Sequence, residues 1–251
     1  MSVRLWLDHV SLSVPQLREA IERLDAGLGL RAIPRPADPD HHSRIYLDRG
    51  YIEVSATGAP ADWVLALFFL RFDDPARLGA HLDACGIAYR FGTYEGVDGR
   101  WDDVELESGA VPLPILVRRT HPPAIAADWP PAMTTPQRSG ATVLAAVHVS
   151  VQQLDAAADA YARLLGSAPA IVTAPPGRHG LAFPVGRGRI VLSEGDSPGI
   201  AGVVLGVASL RDTRRVIGSL SDGAIVWADP AVVGGARIGF ADVGDPIVHY
   251  P

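Results

Sequence analysis

One order of elements, strand, helix, strand, strand, strand, recurs four times along the 251 residues, and this repetition limits the fold more than any single motif. In the first copy "LDHVSLSV" alternates as a strand. "PQLREAIERLDAGLGL" then sets Leu17, Ala20, Ile21, Leu24 and Leu28 at helical spacing and closes on Gly29. "RAIPR", "SRIYLDRG" and "YIEVSA" follow as three short strands, the last two joined by a turn through Asp48, Arg49 and Gly50. The second copy runs from "WVLALFFLRFDDPARLGAHLDACGI" through "AYRFGTY", "RWDDVELES" and "PLPILVRR". The third opens on "LAAVHVSVQQLDAAADAYARLLG", in which "VSVQQLDAA" lies over "LSVPQLREA", and continues through "AIVTA", "GLAFPVG" and "RIVLSEG". The fourth, from "GVVLGVASLRDTRRVIGSL" through "AIVWA" to "ARIGFADV", is abbreviated.

A single helix covers only one face of the sheet its unit forms. Two units side by side therefore predict an incomplete eight-stranded barrel with helices outside and a concave cleft inside, an α+β fold of four βαβββ units. The boundaries expected are an N-terminal half at 1–120, made of units 1–60 and 61–120, and a C-terminal half at 142–251, made of units 142–198 and 199–251. Between them "THPPAIAADWPPAMTTPQRSGAT", rich in Pro, Ala and Thr, predicts a linker over 121–141.

The net charge of −6, with no basic block, argues against nucleic-acid and anionic-membrane partners. The lone Cys85 excludes an internal disulfide and fits a reducing compartment, with the thiol as a small buried hydrophobe. No leader pattern opens the chain and no apolar run approaches ~18 residues, so a cytoplasmic protein without membrane partners is expected. The expected partner is a small-molecule substrate or ligand; a homodimer is left open.

Strand parity selects the candidate residues. His9, Ser11 and Ser13 share one face of the opening strand, opposite Val10, Leu12 and Val14. In "YIEVS", Tyr51, Glu53 and Ser55 oppose Ile52 and Val54, so His9 and Glu53 enter one concavity. His9 is open to three readings: metal ligand, proton-transfer group, or a satisfied pocket histidine. Glu53, a carboxylate within an apolar strand, calls for a cation, a donor or a substrate, unless it lies on a solvated edge strand.

Of His41 and His42 only one can face inward; His42 is in phase with Arg44 and Tyr46, while exposed loop histidines are the ordinary alternative. His148 shares parity with Ala146 and Ser150 and enters a concave face. Arg71 is in phase with Leu67 and Phe69 and is placed to clamp an anionic substrate, or to snorkel to the surface. Tyr51, Phe69 and Trp101, and more weakly Trp6, are candidate walls. "EGVDGRWDDVELE" and "GRGR" (186–189) read as hairpins.

"LDHVSLSVPQL", the distant "YIEVSA" and the strand-helix repeats resemble the vicinal oxygen chelate superfamily, which includes glyoxalase I, extradiol dioxygenases and bleomycin-resistance proteins. More narrowly the chain is similar to glyoxalase-like domain proteins, and "DWPP…SGA" resembles a segment of that family. The resemblance implies catalytic and metal-ligand roles for His9 on a first strand and Glu53 on a last strand. Strand phase and position add His42, Tyr51, Phe69, Arg71, Trp101 and His148 as candidate substrate contacts. The implied cofactor is a divalent ion (Zn, Ni, Fe, Mn or Mg), with no organic cofactor expected.

The other repeats depart from the pattern. Leu67, Ala146 and Gly202 stand where His9 does, Val191 where Glu53 does, and Glu194 is out of phase. Neither a four-ligand glyoxalase I set nor a His-His-Glu dioxygenase triad is spelled out. The resemblance thus implies a small-molecule enzyme, of isomerase, lyase or dioxygenase type, chelating vicinal substrate oxygens through a metal. Alternatives are a metal-free binding or resistance protein and a metal-free acid-base catalyst with His9 or Glu53 as base. A scaffolding protein is a third class.

Overall fold

The computed structural model describes residues 3–35, 38–48, 50–56, 61–96, 99–107, 109, 111–120, 136–174, 178–219 and 223–243. The first repeat contributes β1 (Trp6–Ser13), α1 (Leu17–Leu28), β2 (Ile33–Pro34), β3 (His42–Tyr46) and β4 (Tyr51–Ser55). The second gives β5 (Val64–Arg71), α2 (Pro75–Ala84), β6 (Tyr89–Gly96), β7 (Gly99–Leu106) and β8 (Ile115–Thr120). The third gives β9 (Ala141–Val151), α3 (Leu154–Leu165), β10 (Ala170–Ala174), β11 (Arg178–Val185) and β12 (Gly188–Glu194). The fourth has β13 (Gly199–Val207), α4 (Leu210–Ile217), β14 (Val226–Trp227) and β15 (Ile238–Asp242).

Two mixed sheets result, of eight strands in the order β2-β3-β4-β1-β5-β8-β7-β6 and of seven in the order β10-β11-β12-β9-β13-β15-β14. The expected matching of opening strands holds: β1 and β9 each run into a helix that starts two residues after Pro15 and Gln152, at Leu17 and Leu154. The missing strand of the second sheet belongs to the abbreviated fourth repeat, where residues 228–237 hold turns rather than a strand among the described residues. The stretch "RAIPR" forms only a two-residue strand, because Pro34 carries no N–H to extend a ladder. "GRGR" is the β11–β12 hairpin, as read from its glycines, with Val185 opposite Gly188. The expected linker lies outside the described residues as far as 135.

The chain forms two compact units. One gathers the second and third repeats (Phe68–Ala127 and Val147–Ala201, with Met1–Asp8). The other gathers the first and fourth (His9–Leu67 and Gly202–Pro251, with Asp128–Ala146). In the second of these, Val10, Leu12, Ile45, Ile52 and Val54 are fully buried on one face of β1, β3 and β4. Ala20, Leu24 and Leu28 of α1 are buried with them, and α1 packs against β4 and α4. The described end of the expected linker, residues 136–141, is stitched into this unit. Gln137 accepts from the Arg31 amide at 2.6 Å and donates to the Tyr46 carbonyl at 3.0 Å. Thr213 of α4 donates to the Ser139 carbonyl at 2.7 Å.

Helices α1 and α3 end alike, on Gly29 and Gly166 at φ 62° and 63°, a left-handed conformation that L side chains rarely adopt. The surroundings differ: a Cβ on Gly29 would lie 2.8 Å from the Ser139 nitrogen, whereas one on Gly166 meets nothing within 4 Å. Gly166→Ala is therefore expected to cost only the left-handed strain, about 1 kcal/mol, and Gly29→Ala at least about 1 kcal/mol more, in urea denaturation of the two variants.

Candidate active site

The face of β1, β3 and β4 opposite the apolar one is polar, and the strand registers fix which side chains meet there. β1 pairs with β4 in parallel, setting His9 beside Tyr51, Ser11 beside Glu53 and Ser13 beside Ser55. β4 pairs antiparallel with β3, setting Tyr51 beside Tyr46, Glu53 beside Arg44 and Ser55 beside His42. Cross-strand partners point to the same side of a sheet. Three rows follow across three strands: His9, Tyr51 and Tyr46; then Ser11, Glu53 and Arg44; then Ser13, Ser55 and His42. The shared parity of His9 and Glu53 read from sequence is therefore realised, with Glu53 one row along from His9.

The side chains form a layered cluster around Tyr51. The His9 ring stacks on it at 4.4 Å between centroids and 9° between planes. The Arg44 guanidinium carbon lies 5.1 Å from the Tyr51 centroid, a cation–π contact, and the Tyr46 ring is tilted against it at 5.9 Å. Arg44 Nε lies 3.6 Å from Glu53 Oε1, with the two side chains 4% and 18% exposed. Burial alone would push the Arg44 guanidinium down. The opposing influences of Tyr51, a hydrogen bond with Tyr46 and the Glu53 carboxylate outweigh it and raise it above the ordinary arginine range. Arg44 thus carries a fixed positive charge.

Arg44 and Tyr46 are the residues that sequence reasoning undervalued. Both were in phase with His42, but the alternation of "HSRIY" alone does not say which strand it pairs with. His42 itself stands at the far end of the face, half-buried, 3.6 Å from Asp38. His41 is exposed and hydrogen-bonded to Asp38 at 2.8 Å, so only one of the pair points inward, as parity requires.

The other unit carries the remaining candidates. Phe69 and Arg71 face the same side as Ile115 and Val117, and Trp101 is opposite Arg119 on β7 and β8. Arg119, which the sequence reading passed over, lies 4.4 Å from the Trp101 ring centroid. Arg71 is exposed and Trp101 buried. His148 is buried on β9, out of phase with the fully buried Val147 and Val149. In the third repeat the counterpart of Glu53, Val191, packs with Ala174, Ala182 and Val172, so small apolar groups replace the carboxylate there. Arg189 and Ser193 flank Val191 at the same parity and are buried.

A divalent ion fits this arrangement poorly. His9 and Glu53 supply two donors, where catalytic zinc sites commonly show three protein ligands. No group of three His, Cys, Asp or Glu able to hold an ion occurs among the described residues. An ion bound to Glu53 Oε1 would stand within about 6 Å of the Arg44 charge, whose Nε is 3.6 Å from that oxygen, a repulsion of roughly 5 kcal/mol at an effective dielectric of about 20.

If Arg44 and Glu53 act as a pair, Arg44→Gln should destabilise the protein by about 3 kcal/mol and Glu53→Gln by less, the carboxylate being the more exposed partner. The double variant should fall short of the sum in a denaturant double-mutant cycle; strict additivity would show the two charges to be independent.

Residues 7–165 match the family model of the glyoxalase-like domain. No curated protein matches the chain. Among solved structures, the fold is similar to the 2,3-dioxygenase LapB from Pseudomonas sp. KL28, with a TM-score of 0.65 and 17% identity, covering 96% of this chain and 92% of that one. It is similar to a Mn(II)-bound glyoxalase from Novosphingobium aromaticivorans, with a TM-score of 0.64 and 12% identity, covering 97% and 86%. A hypothetical protein from Staphylococcus aureus aligns with a TM-score of 0.64 and 10% identity over 95% and 99%. At these identities the likeness speaks for the fold.

Proposed function

From membership of the glyoxalase-like domain family, to which this chain belongs, we propose a protein that acts on a small molecule at the polar face of β1, β3 and β4. The observation that carries the reading is the convergence of His9, Arg44, Tyr46, Tyr51 and Glu53 on one sheet face through two strand registers. Folding a chain so that a carboxylate, an imidazole and a guanidinium share a mostly buried face is costly, and clusters of this kind concentrate at functional sites.

In this reading Glu53, the most exposed of the charged pair, is the general base. It takes a proton from the carbon beside a substrate carbonyl while Arg44 holds the carboxylate in place. His9, its ring fixed against Tyr51, donates a hydrogen bond to the substrate oxygen as that oxygen gains enolate charge, and Glu53 returns the proton it took to the adjacent carbon. That is isomerase chemistry; where the enolate instead expels a group from its β-carbon it is lyase chemistry, in both cases run by side chains alone. Tyr51 and His42 are the substrate contacts on the same face.

A second reading keeps the fold and adds an ion held by His9 and Glu53, with lyase, isomerase or dioxygenase chemistry. Its support is the shared face of the two donors and the fold likeness to a Mn(II)-bound glyoxalase. When bound, the ion would supply Lewis-acid polarisation of paired substrate oxygens. The crowding of Glu53 by Arg44 weighs against it.

A thermal-shift screen of small carbonyl and carboxylate compounds tests the site. Ligands that stabilise the wild type are expected to lose their shift in His9→Ala and in Glu53→Gln. They should keep it in Ile171→Ser, which alters a side chain 73% exposed on β10. Hits indifferent to both face variants would place the ligand elsewhere. Hits that bind at this face without being turned over would mark a binding protein instead of an enzyme.

A further inference from the structure

We propose that Arg44 is the resident cation of this face: it takes the electrostatic place that a divalent ion would hold beside Glu53, and its presence is what makes the protein metal-independent. The inference rests on the reading that the His9–Glu53 face is the working site. It is carried by where Arg44 stands. The register sets it directly across from Glu53, on the strand next to the carboxylate, and not at the rim. Its guanidinium is held on several sides, by the Tyr51 ring at 5.1 Å, by Glu53 at 3.6 Å and by the Tyr46 hydroxyl. Arg44 is buried, so it has little freedom to swing away and admit an ion. Arginine also does not shed its proton in proteins, so the charge cannot be relieved by titration.

The same geometry says what would convert the site. Positions 9, 44 and 53 lie on three neighbouring strands of one sheet face, with His9 a row away from the other two. Replacing Arg44 by histidine removes the repelling charge and adds a third donor, giving two imidazoles and one carboxylate, a set that binds borderline divalent metals. One residue on β3 therefore decides between a guanidinium-based and a metal-based face.

The test is equilibrium dialysis of the full chain, stripped with chelator, against Mn(II), Ni(II) or Zn(II) alone, with bound metal counted by mass spectrometry. The wild type is expected to retain no stoichiometric ion. Arg44→His should bind at least about tenfold more tightly, and adding His9→Ala should return it to the wild-type level. A wild type that holds one equivalent lost in Glu53→Gln overturns the inference, as does equal affinity in wild type and Arg44→His. Should Arg44→His fail to fold, as judged by circular dichroism, the wild-type titration decides alone: no retained ion supports the inference, a bound equivalent sinks it. The outcome separates from that of the ligand screen. Ligand binding indifferent to Glu53 with metal-free wild type removes the site assignment, whereas metal-loaded wild type removes the role given to Arg44.

Discussion

The parallel pairing of β1 with β4 is the constraint on which the polar face depends. A sheet side chain has only two directions, so a slip of one residue would send Glu53 into the layer filled by Ile52 and Val54 and bring an aliphatic group to the cleft side. The apolar alternation of both strands forbids that slip, because burying the carboxylate against α1 would cost far more than any ladder hydrogen bond returns. The chemistry of the face is thus held in register by residues that take no part in it. Val10, Leu12, Ile52 and Val54 fix the phase; His9, Tyr51 and Glu53 inherit it.

Within that frame the dominant local force is electrostatic. A buried guanidinium needs compensation, and Arg44 finds it in a carboxylate, a hydroxyl and an aromatic face. The arrangement is mutual. Tyr51 is flanked by the His9 ring and by Arg44, so moving any one of the three disturbs the other two. Contacts of this kind are the supporting shell that keeps a reactive group within a narrow range of positions. In the third repeat the same location is occupied by Val191 packed with Ala174 and Ala182, while the buried charge, Arg189, stands two residues before it on the same strand.

The fold was legible because its signals repeat. Two copies of a helix opening on the leucine of "SVPQL" or "SVQQL" and closing on glycine, each following an alternating strand, leave little choice of architecture, and both helices run for twelve residues. Parity also placed His9, Tyr51 and Glu53 on one face without knowledge of any contact, and His42 in phase with Arg44 and Tyr46. What parity could not supply was the identity of the strand across the ladder. Arg44 became Glu53's neighbour only through the β3–β4 register, which depends on a turn through Asp48 and Gly50 whose length is visible but whose geometry is not. The grouping of repeats was hidden for a similar reason: all four opening strands pass from one compact unit to the other partway along, a division that no composition shift marks.

That grouping bears on how the chain folds as it leaves the ribosome. The first repeat emerges early, yet the part of the fourth repeat that shares its compact unit begins only at Gly202, so that unit is completed after the second and third repeats, close together in the chain, have been made. The polar face of β1, β3 and β4 is therefore assembled in a unit whose closure is among the later events of synthesis, at the cost of a long loop-closure entropy. A nascent chain stalled before Gly202 would carry His9 and Glu53 without the later part of the compact unit that holds them.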